Sequence, residues 1–335
     1  MIRLRIYVDL DNIKYNVNYI RNFTKKDIIA VVKSNAYGLG AKKIVKTLLK
    51  QNVQYFFFNK FNEYLVIKDL LFDKNVIIFE SLSYDKILKY YTENIILTIN
   101  SYNDFLIYQS TKMKIRTHLQ VDTGMNRIGF SCLDDVKKII ELCPPNILIE
   151  GIYTHYASSC DEYDYFEKQQ ERFKKYLSLY DFKIIHSNAS SSLHKNIIGN
   201  MVRVGIGLYG YHTKLQLKKS VFGTTKIINA FWSYPNMLIG YHGKYISKTR
   251  EYIGVVDIGY YDSNLVNKVY IDNKKYMFVG KTCMNHAYII IDDKINNLTH
   301  LSLFSKFDII DIDEYDYYQL LTSFNHLKKN YIERI

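Results

Sequence analysis

The chain has 335 residues, a hydrophobic fraction of 48% and a mean hydropathy of −0.17, which allows one large domain with a substantial core or two smaller ones. Apolar runs such as 76–79 and 288–291 are far too short to span a bilayer, and residues 1–11 hold no signal-peptide h-region or cleavage site, so the expected location is the cytoplasm, away from any membrane. A net charge of +12 raises nucleic acid as a partner, but the lysines are dispersed and no nucleic-acid motif accompanies them; the excess instead suits an anionic ligand such as a phosphate.

From residue 28 to about 210, short apolar strands alternate with helical segments. The predicted strands are 28–33, 54–58, 76–80, 95–98, 115–121, 148–155, 183–187 and 201–205. Between them, residues 42–50 carry a stripe of Ile44, Val45, Leu48 and Leu49 at helical spacing, and residues 162–179 form a second amphipathic segment closed by Phe173, Tyr176 and Leu177. Alternation of this kind implies parallel strands with right-handed crossovers, and eight repeats suggest a closed (β/α)8 barrel over residues 10–215; a doubly wound open sheet is the competing architecture. After Tyr211 the texture becomes β-rich, with strands at 252–258, 268–271 and 276–279 around the turn Asp272-Asn273-Lys274-Lys275. Residues 216–335 are therefore expected to form a second, mostly β domain, joined by residues 1–9. Cys132, Cys143, Cys160 and Cys283 are scattered without a Cys-x-x-Cys pair and read as reduced thiols, not a disulfide framework or a metal cage.

The chemistry collects at the carboxyl ends of the barrel strands. Lys33 ends the first, where the chain turns through Gly38 and Gly40 into a helix, and Tyr37 follows it. A lysine desolvated there has its ammonium form disfavoured and its amine available to an aldehyde. Asp122-Thr-Gly-Met-Asn-Arg127 follows the fifth strand, His155 ends the sixth, Ser187 to Ser190 follow the seventh and Arg203 lies in the eighth. Singly, each is an ordinary core or surface residue; their shared address is the face on which barrels build active sites. Gly205, Gly207 and Gly210 satisfy G-x-G-x-x-G, but the match falls at the end of the α/β region with no second strand carrying an acidic ribose ligand. The same segment reads better as a phosphate loop, with the backbone N–H groups of Gly205 and Ile206 and the Ser190 hydroxyl as donors. A nucleophilic lysine beside a phosphate site suggests pyridoxal phosphate held as a Schiff base.

At this point the chain resembles the alanine racemases over nearly its whole length. The matching segments are Val8-Asp-Leu-Asp11, Ala30-Val-Val-Lys-Ser-Asn-Ala-Tyr-Gly38, Asp122 to Gly129, Gly151-Ile-Tyr-Thr-His-Tyr156, His186-Ser-Asn-Ala-Ser190, Val202 to Gly210, Ile258-Gly-Tyr-Tyr-Asp262 and Val279 to Met284. The resemblance implies a homodimer with shared active sites and a two-base racemisation of alanine that supplies D-alanine for peptidoglycan. Lys33 would carry pyridoxal 5'-phosphate and act as one base, with Tyr260 of the other chain as the second on the opposite face. Arg203 would meet the pyridine nitrogen, linked to Tyr260 through His155 and His186. Tyr37, Ser190, Gly205 and Ile206 would hold the phosphate, and Arg127 with the Met284 backbone would meet the substrate. A metal has no implied role.

Several positions depart from the pattern. Gln120 stands where many members carry a carbamylated lysine that orients the arginine, Asn285 replaces an aspartate, and Leu39 occupies a common histidine position. The tail 322–331 matches poorly, leaving unassigned a tyrosine that often contacts the phosphate. A racemase of serine or another amino acid, and a non-catalytic cofactor-binding protein, are the competing functions; a related decarboxylase is disfavoured because its glycine-triplet phosphate loop is absent.

Overall fold

A computed structural model describes residues 4–157, 164–212, 214–292, 295, 300–302 and 314–334. Cys160 and the first two residues of the helix predicted from 162 lie outside them. The chain divides into two compact units, one of Ile13–Ala36 and Ala41–Leu217, the other of Met1–Asn12, Tyr37–Gly40 and Lys218–Ile335.

After an opening strand β1 (Arg5–Asp9) and a helix over Leu10–Thr24, eight parallel strands close into a barrel. They are β2 (Asp27–Val31), β3 (Tyr55–Phe58), β4 (Asn75–Ile78), β5 (Ile95–Ile99), β6 (Ile115–Gln120), β7 (Ile147–Tyr153), β8 (Ile184–Ala189) and β9 (Met201–Val204). Closure is made by β2 against β9, in register Asp27↔Met201 through Ala30↔Val204. The eight predicted strands are these eight. The interior explains why: Ile29, Phe57, Ile77, Ile96, Tyr153, Ile184 and Met201, one from each of seven strands, form a single buried cluster. Each such apolar side chain removed from water contributes about 1.5–3 kcal/mol, so a one-residue register slip, which turns that face outward, is strongly disfavoured. The eighth strand, β6, contributes the buried His118.

Several boundaries differ from the sequence reading, the first of them beside Lys33. β2 stops at Val31, so Lys33 follows the strand instead of ending it. The chain then does not pass directly to its glycines: Ser34, Asn35, Ala36 and Tyr37 all take left-handed φ values of 53–56°. Each non-glycine residue held there costs roughly 1–2 kcal/mol, and local bonds offset the cost. Ser34 N–H donates to Glu63 Oε1 at 2.7 Å, Ala36 N–H to Val32 O at 3.0 Å and Ala41 N–H to Asn35 Oδ1 at 2.8 Å. The predicted helix follows as Ala41–Leu49.

In the other unit an eight-stranded sheet contains β1 together with β10 (Val221–Trp232), β13 (Tyr252–Val256), β14 (Lys268–Ile271), β15 (Lys274–Val279), β16 (Ala287–Ile291), β17 (His300–Ser302) and β18 (Lys329–Ile332). A small hairpin pairs β11 (Leu238–Ile239) with β12 (Tyr245–Ile246). β1 lies antiparallel to β10 and parallel to β18, uniting the chain's two ends. The turn predicted at 272–275 is a two-residue one, with Asp272 and Asn273 at φ 47° and 68°, left-handed values that match the twist of a tight hairpin. Among the described residues no helix is long and apolar enough to cross a membrane.

Candidate active site

The carboxyl ends of the barrel strands gather Lys33, Arg127, His155, His186, Ser190 and Arg203. Burial holds the Lys33 ammonium below its ordinary pKa, and the charge of Arg127 adds to this while that of Glu63 opposes it. Burial also lowers His155 to about 3, helped by the charges of Arg203, Arg127 and Lys33, so this imidazole is neutral at physiological pH. Arg127 Cζ lies over the ring of Phe79, which directly follows β4, 5.9 Å from its centre, at the barrel end where Lys33 and His155 follow their own strands.

Arg203 lies 4% exposed in β9. Its Nη1 donates to His186 Nδ1 and to His186 O, both at 2.7 Å, and its Nη2 donates to Thr154 O and, at 3.1 Å, to Ser187 O. A guanidinium has five N–H donors; four are committed, and among the described residues Nε–H alone has no acceptor. The guanidinium sits over the Tyr153 ring, 5.1 Å from its centre, and the His186 ring stacks on the same tyrosine at 4.6 Å. Burial lowers Arg203 to about 10, a shift that leaves it charged near neutral pH. The expected link to His186 is present, whereas His155 is not among Arg203's hydrogen-bond partners. The reason is geometric: His155 follows the end of β7, and the guanidinium reaches the backbone carbonyl of its neighbour Thr154 instead. His118, which bonds His186 at 3.0 Å, is a participant that the sequence reading missed. Its position in the fifth predicted strand, two residues before Gln120, was the available signal.

Ser190 Oγ accepts N–H from Gly205 and Gly207, each at 3.1 Å. The convergent amides are thus those flanking Ile206, and Ile206 N–H lies between them in the chain. A Cβ on Gly207 would stand 3.3 Å from Ser190 Oγ, so glycine there lets both amides reach the hydroxyl oxygen and leaves the hydroxyl's own proton to donate to a ligand. Ser187 to Ala189, expected after the seventh strand, fall within it, and Ser190 is the first residue beyond it.

The Arg127 loop is held through its backbone. Asp122 Oδ1 accepts from Gly124 N at 2.8 Å and Asn126 N at 3.0 Å, and Oδ2 from Arg127 N at 2.8 Å. Gln120 Nε2 donates to Ile128 O at 2.9 Å. Partial burial raises the Asp122 pKa, but the backbone N–H groups outweigh it, and the carboxyl is held below its ordinary value.

In the second unit, Tyr260 and Met284 come from separate motifs yet lie side by side. Tyr260 N–H donates to Cys283 O at 3.1 Å, and Tyr261 N–H to Met284 O at 3.0 Å. Both side chains are about half exposed, at 49% and 52%. Gly259 passes so close to Met284 and Asn285 that a Cβ would collide with their backbone, and Asp262 Oδ2 fixes the Gly259 amide at 2.9 Å. Tyr37 is buried, its ring 5.9 Å from that of Tyr318. Tyr331, in the poorly matching tail, places its hydroxyl on Leu39 O at 2.9 Å and against Gly40. The loop after Lys33 thus meets a tail tyrosine after all; pairing of β18 with β1 was the missing information.

Residues 8–213 match the family model "Alanine racemase, N-terminal domain" and residues 223–320 match "Alanine racemase, C-terminal domain". An alanine racemase of Borreliella burgdorferi is 31% identical, covering 97% of this chain and 95% of its own length. One of Fusobacterium nucleatum is 29% identical over 88% of each chain. The crystal structure of alanine racemase from Bartonella henselae, with covalently bound pyridoxal phosphate, superposes with a TM-score of 0.88 at 22% identity, covering 99% of this chain and 100% of that one. With both halves of the barrel-plus-β architecture matched, the chain belongs to the alanine racemase family of isomerases.

Proposed function

We propose that this protein interconverts L-alanine and D-alanine with pyridoxal 5'-phosphate as cofactor, through a two-base mechanism, as a cytoplasmic homodimer whose product supplies peptidoglycan. The observation that carries the reading is the joint presence, at one barrel end, of a lysine held toward its neutral form and a buried arginine with a single uncommitted N–H. The residues suit the cofactor. Lys33 offers an amine, the Ser190 hydroxyl, oriented by the Gly205 and Gly207 amides, offers with the Ile206 amide donors to a phosphate, and Arg203 Nε–H offers a donor to a ring nitrogen.

Lys33 would hold pyridoxal phosphate covalently before substrate binds and release it to the substrate's amino group, where the cofactor would supply an electron sink for the charge left at Cα and leave the Lys33 amine free to move a proton. The rest is the work of this chain. Arg203 does not surrender its proton near neutral pH, so its Nε–H donates to a ring nitrogen without protonating it. That limits how far charge spreads from Cα and favours return of a proton there over loss to other reactions. Lys33 is the base on one face of Cα. Tyr260 of the partner subunit is the base on the other, and half exposure of its side chain suits a role toward a second chain. Removal of the proton by one and delivery by the other inverts the centre. Arg127, held by Asp122 and Gln120, meets the substrate carboxylate with the Met284 backbone of the partner subunit.

The test is visible absorbance of the purified protein, borohydride reduction with a peptide map, and loss of optical rotation from L-alanine. The expected result is a reduced adduct on Lys33 together with racemisation. An adduct with racemisation of a different amino acid only would replace the substrate. Absence of any chromophore after addition of pyridoxal phosphate would overturn the reading.

A further inference from the structure

Hydrogen-bond chemistry alone orients three buried groups in series. Arg203 only donates, so His186 Nδ1, 2.7 Å from Nη1, carries no proton. The proton of a neutral His186 is therefore on Nε2, which lies 3.0 Å from His118 Nδ1. His118 Nδ1 must then accept, and its own proton is on Nε2. Either ring, if protonated, would set N–H against N–H within the series. Both rings are fully buried, and desolvation first, then nearby arginine charge, lowers His118 to about 3 and His186 well below its usual value.

The series ends abruptly. His118 Nε2 is buried and has no partner among the described residues. It rests on Gly151, where a Cβ would come within 2.8 Å of Nε2 and Cδ2. Gly151 is thus the space that admits the imidazole. No carboxylate among the described residues bonds Arg203; its acceptors are His186 Nδ1 and three backbone carbonyls. Two imidazole dipoles aligned with their acceptor ends toward the guanidinium stabilise that buried charge without neutralising it.

We propose that His118 is a positioning residue for Arg203, closing a one-way donor series Arg203→His186→His118 that locks both histidines as Nε2–H tautomers and leaves Arg203 Nε–H as the donor presented to the cofactor. The consequence for turnover rests on the function proposed above; the tautomers do not. Because His118 touches neither substrate nor cofactor in this reading, its effect passes through His186.

Nitrogen-15 histidine NMR of the holoenzyme decides the tautomers. Both rings are expected as neutral Nε2–H forms that do not titrate between about pH 5.5 and 9; an Nδ1–H form of His118, or a charged His186, overturns the proposal. His118→Asn keeps an acceptor oxygen near the Nδ1 position, whereas His118→Leu removes it. His118→Leu is expected to lower kcat about tenfold with KM changed less than about twofold, and His118→Asn to stay within about threefold of wild type. Wild-type kcat in His118→Leu overturns the proposal, as does a His118→Asn enzyme as slow as His118→Leu. If His118→Leu does not fold, the wild-type tautomers and the His118→Asn rate still decide. A holoenzyme with the stated tautomers that racemises nothing would sink the proposed function alone.

Discussion

The amide of Arg127 donates to the Asp122 carboxylate at 2.8 Å, so the arginine is aimed through its backbone, and its guanidinium forms no ion pair among the described residues. Asp122→Ala releases three amides at once. The expected outcome is a KM for L-alanine raised about tenfold, with little change in cofactor binding. The folded-state pKa of Asp122 is depressed, so its contribution to stability is present above the unfolded pKa and lost as pH falls through the folded one. Below about pH 4, wild type and Asp122→Ala should converge in Tm, measured by thermal melts across the acid range.

Lys33 responds in opposite directions to two neighbours. Arg127 lowers its pKa and Glu63 raises it, beneath the larger effect of burial. In cofactor-free protein, Arg127→Gln should move the pH profile of Lys33 acylation upward and Glu63→Gln should move it downward. Parallel movement of the two profiles would show that the loop, and not charge, controls the amine.

Ser190→Ala removes the oxygen on which the Gly205 and Gly207 amides converge. Affinity for pyridoxal phosphate should fall about tenfold, the loss expected for roughly one hydrogen bond to a charged group. Absorbance titration of apoprotein measures it directly; unchanged affinity would remove Ser190 from the phosphate site.

Gly259→Ala drives a Cβ into the backbone of Met284 and Asn285. Relief requires the segment carrying Tyr260 to move, at a cost of about 1–3 kcal/mol. Thermal unfolding should register the loss, and kcat should fall with it because Tyr260 shifts; a stable variant with full activity would separate Tyr260 from the reaction.

Tyr331→Phe deletes a hydroxyl that bonds Leu39 O at 2.9 Å. A loss of about 1 kcal/mol in unfolding free energy is expected from the removed bond. Weaker cofactor binding in addition would assign this tyrosine to the phosphate, the role its tail left open.

The local pattern of residues determined a great deal here. Short apolar strands alternating with amphipathic helices suggested a (β/α)8 barrel, because strands buried on both faces, as β5 and β9 are, need helices to cover their outer side, and the address of Lys33, Ser190 and Arg203 at strand ends followed from that. Asp272-Asn273 announced its hairpin because those residues tolerate left-handed backbone. Tertiary structure alone decided the rest. Four successive left-handed residues after Lys33 contradict their intrinsic preferences, and they persist because Glu63, 29 positions away, satisfies the first amide. Arg203 chose Thr154 O over the adjacent imidazole, and His118 met His186 across 68 residues of chain, through barrel geometry that no local spacing encodes. Tyr331 reached Leu39 across 292 residues because the chain's two ends share one sheet. Sequence specifies which groups are available and which face is buried; the direction of a hydrogen bond between groups distant in the chain is settled only when packing brings donor and acceptor together.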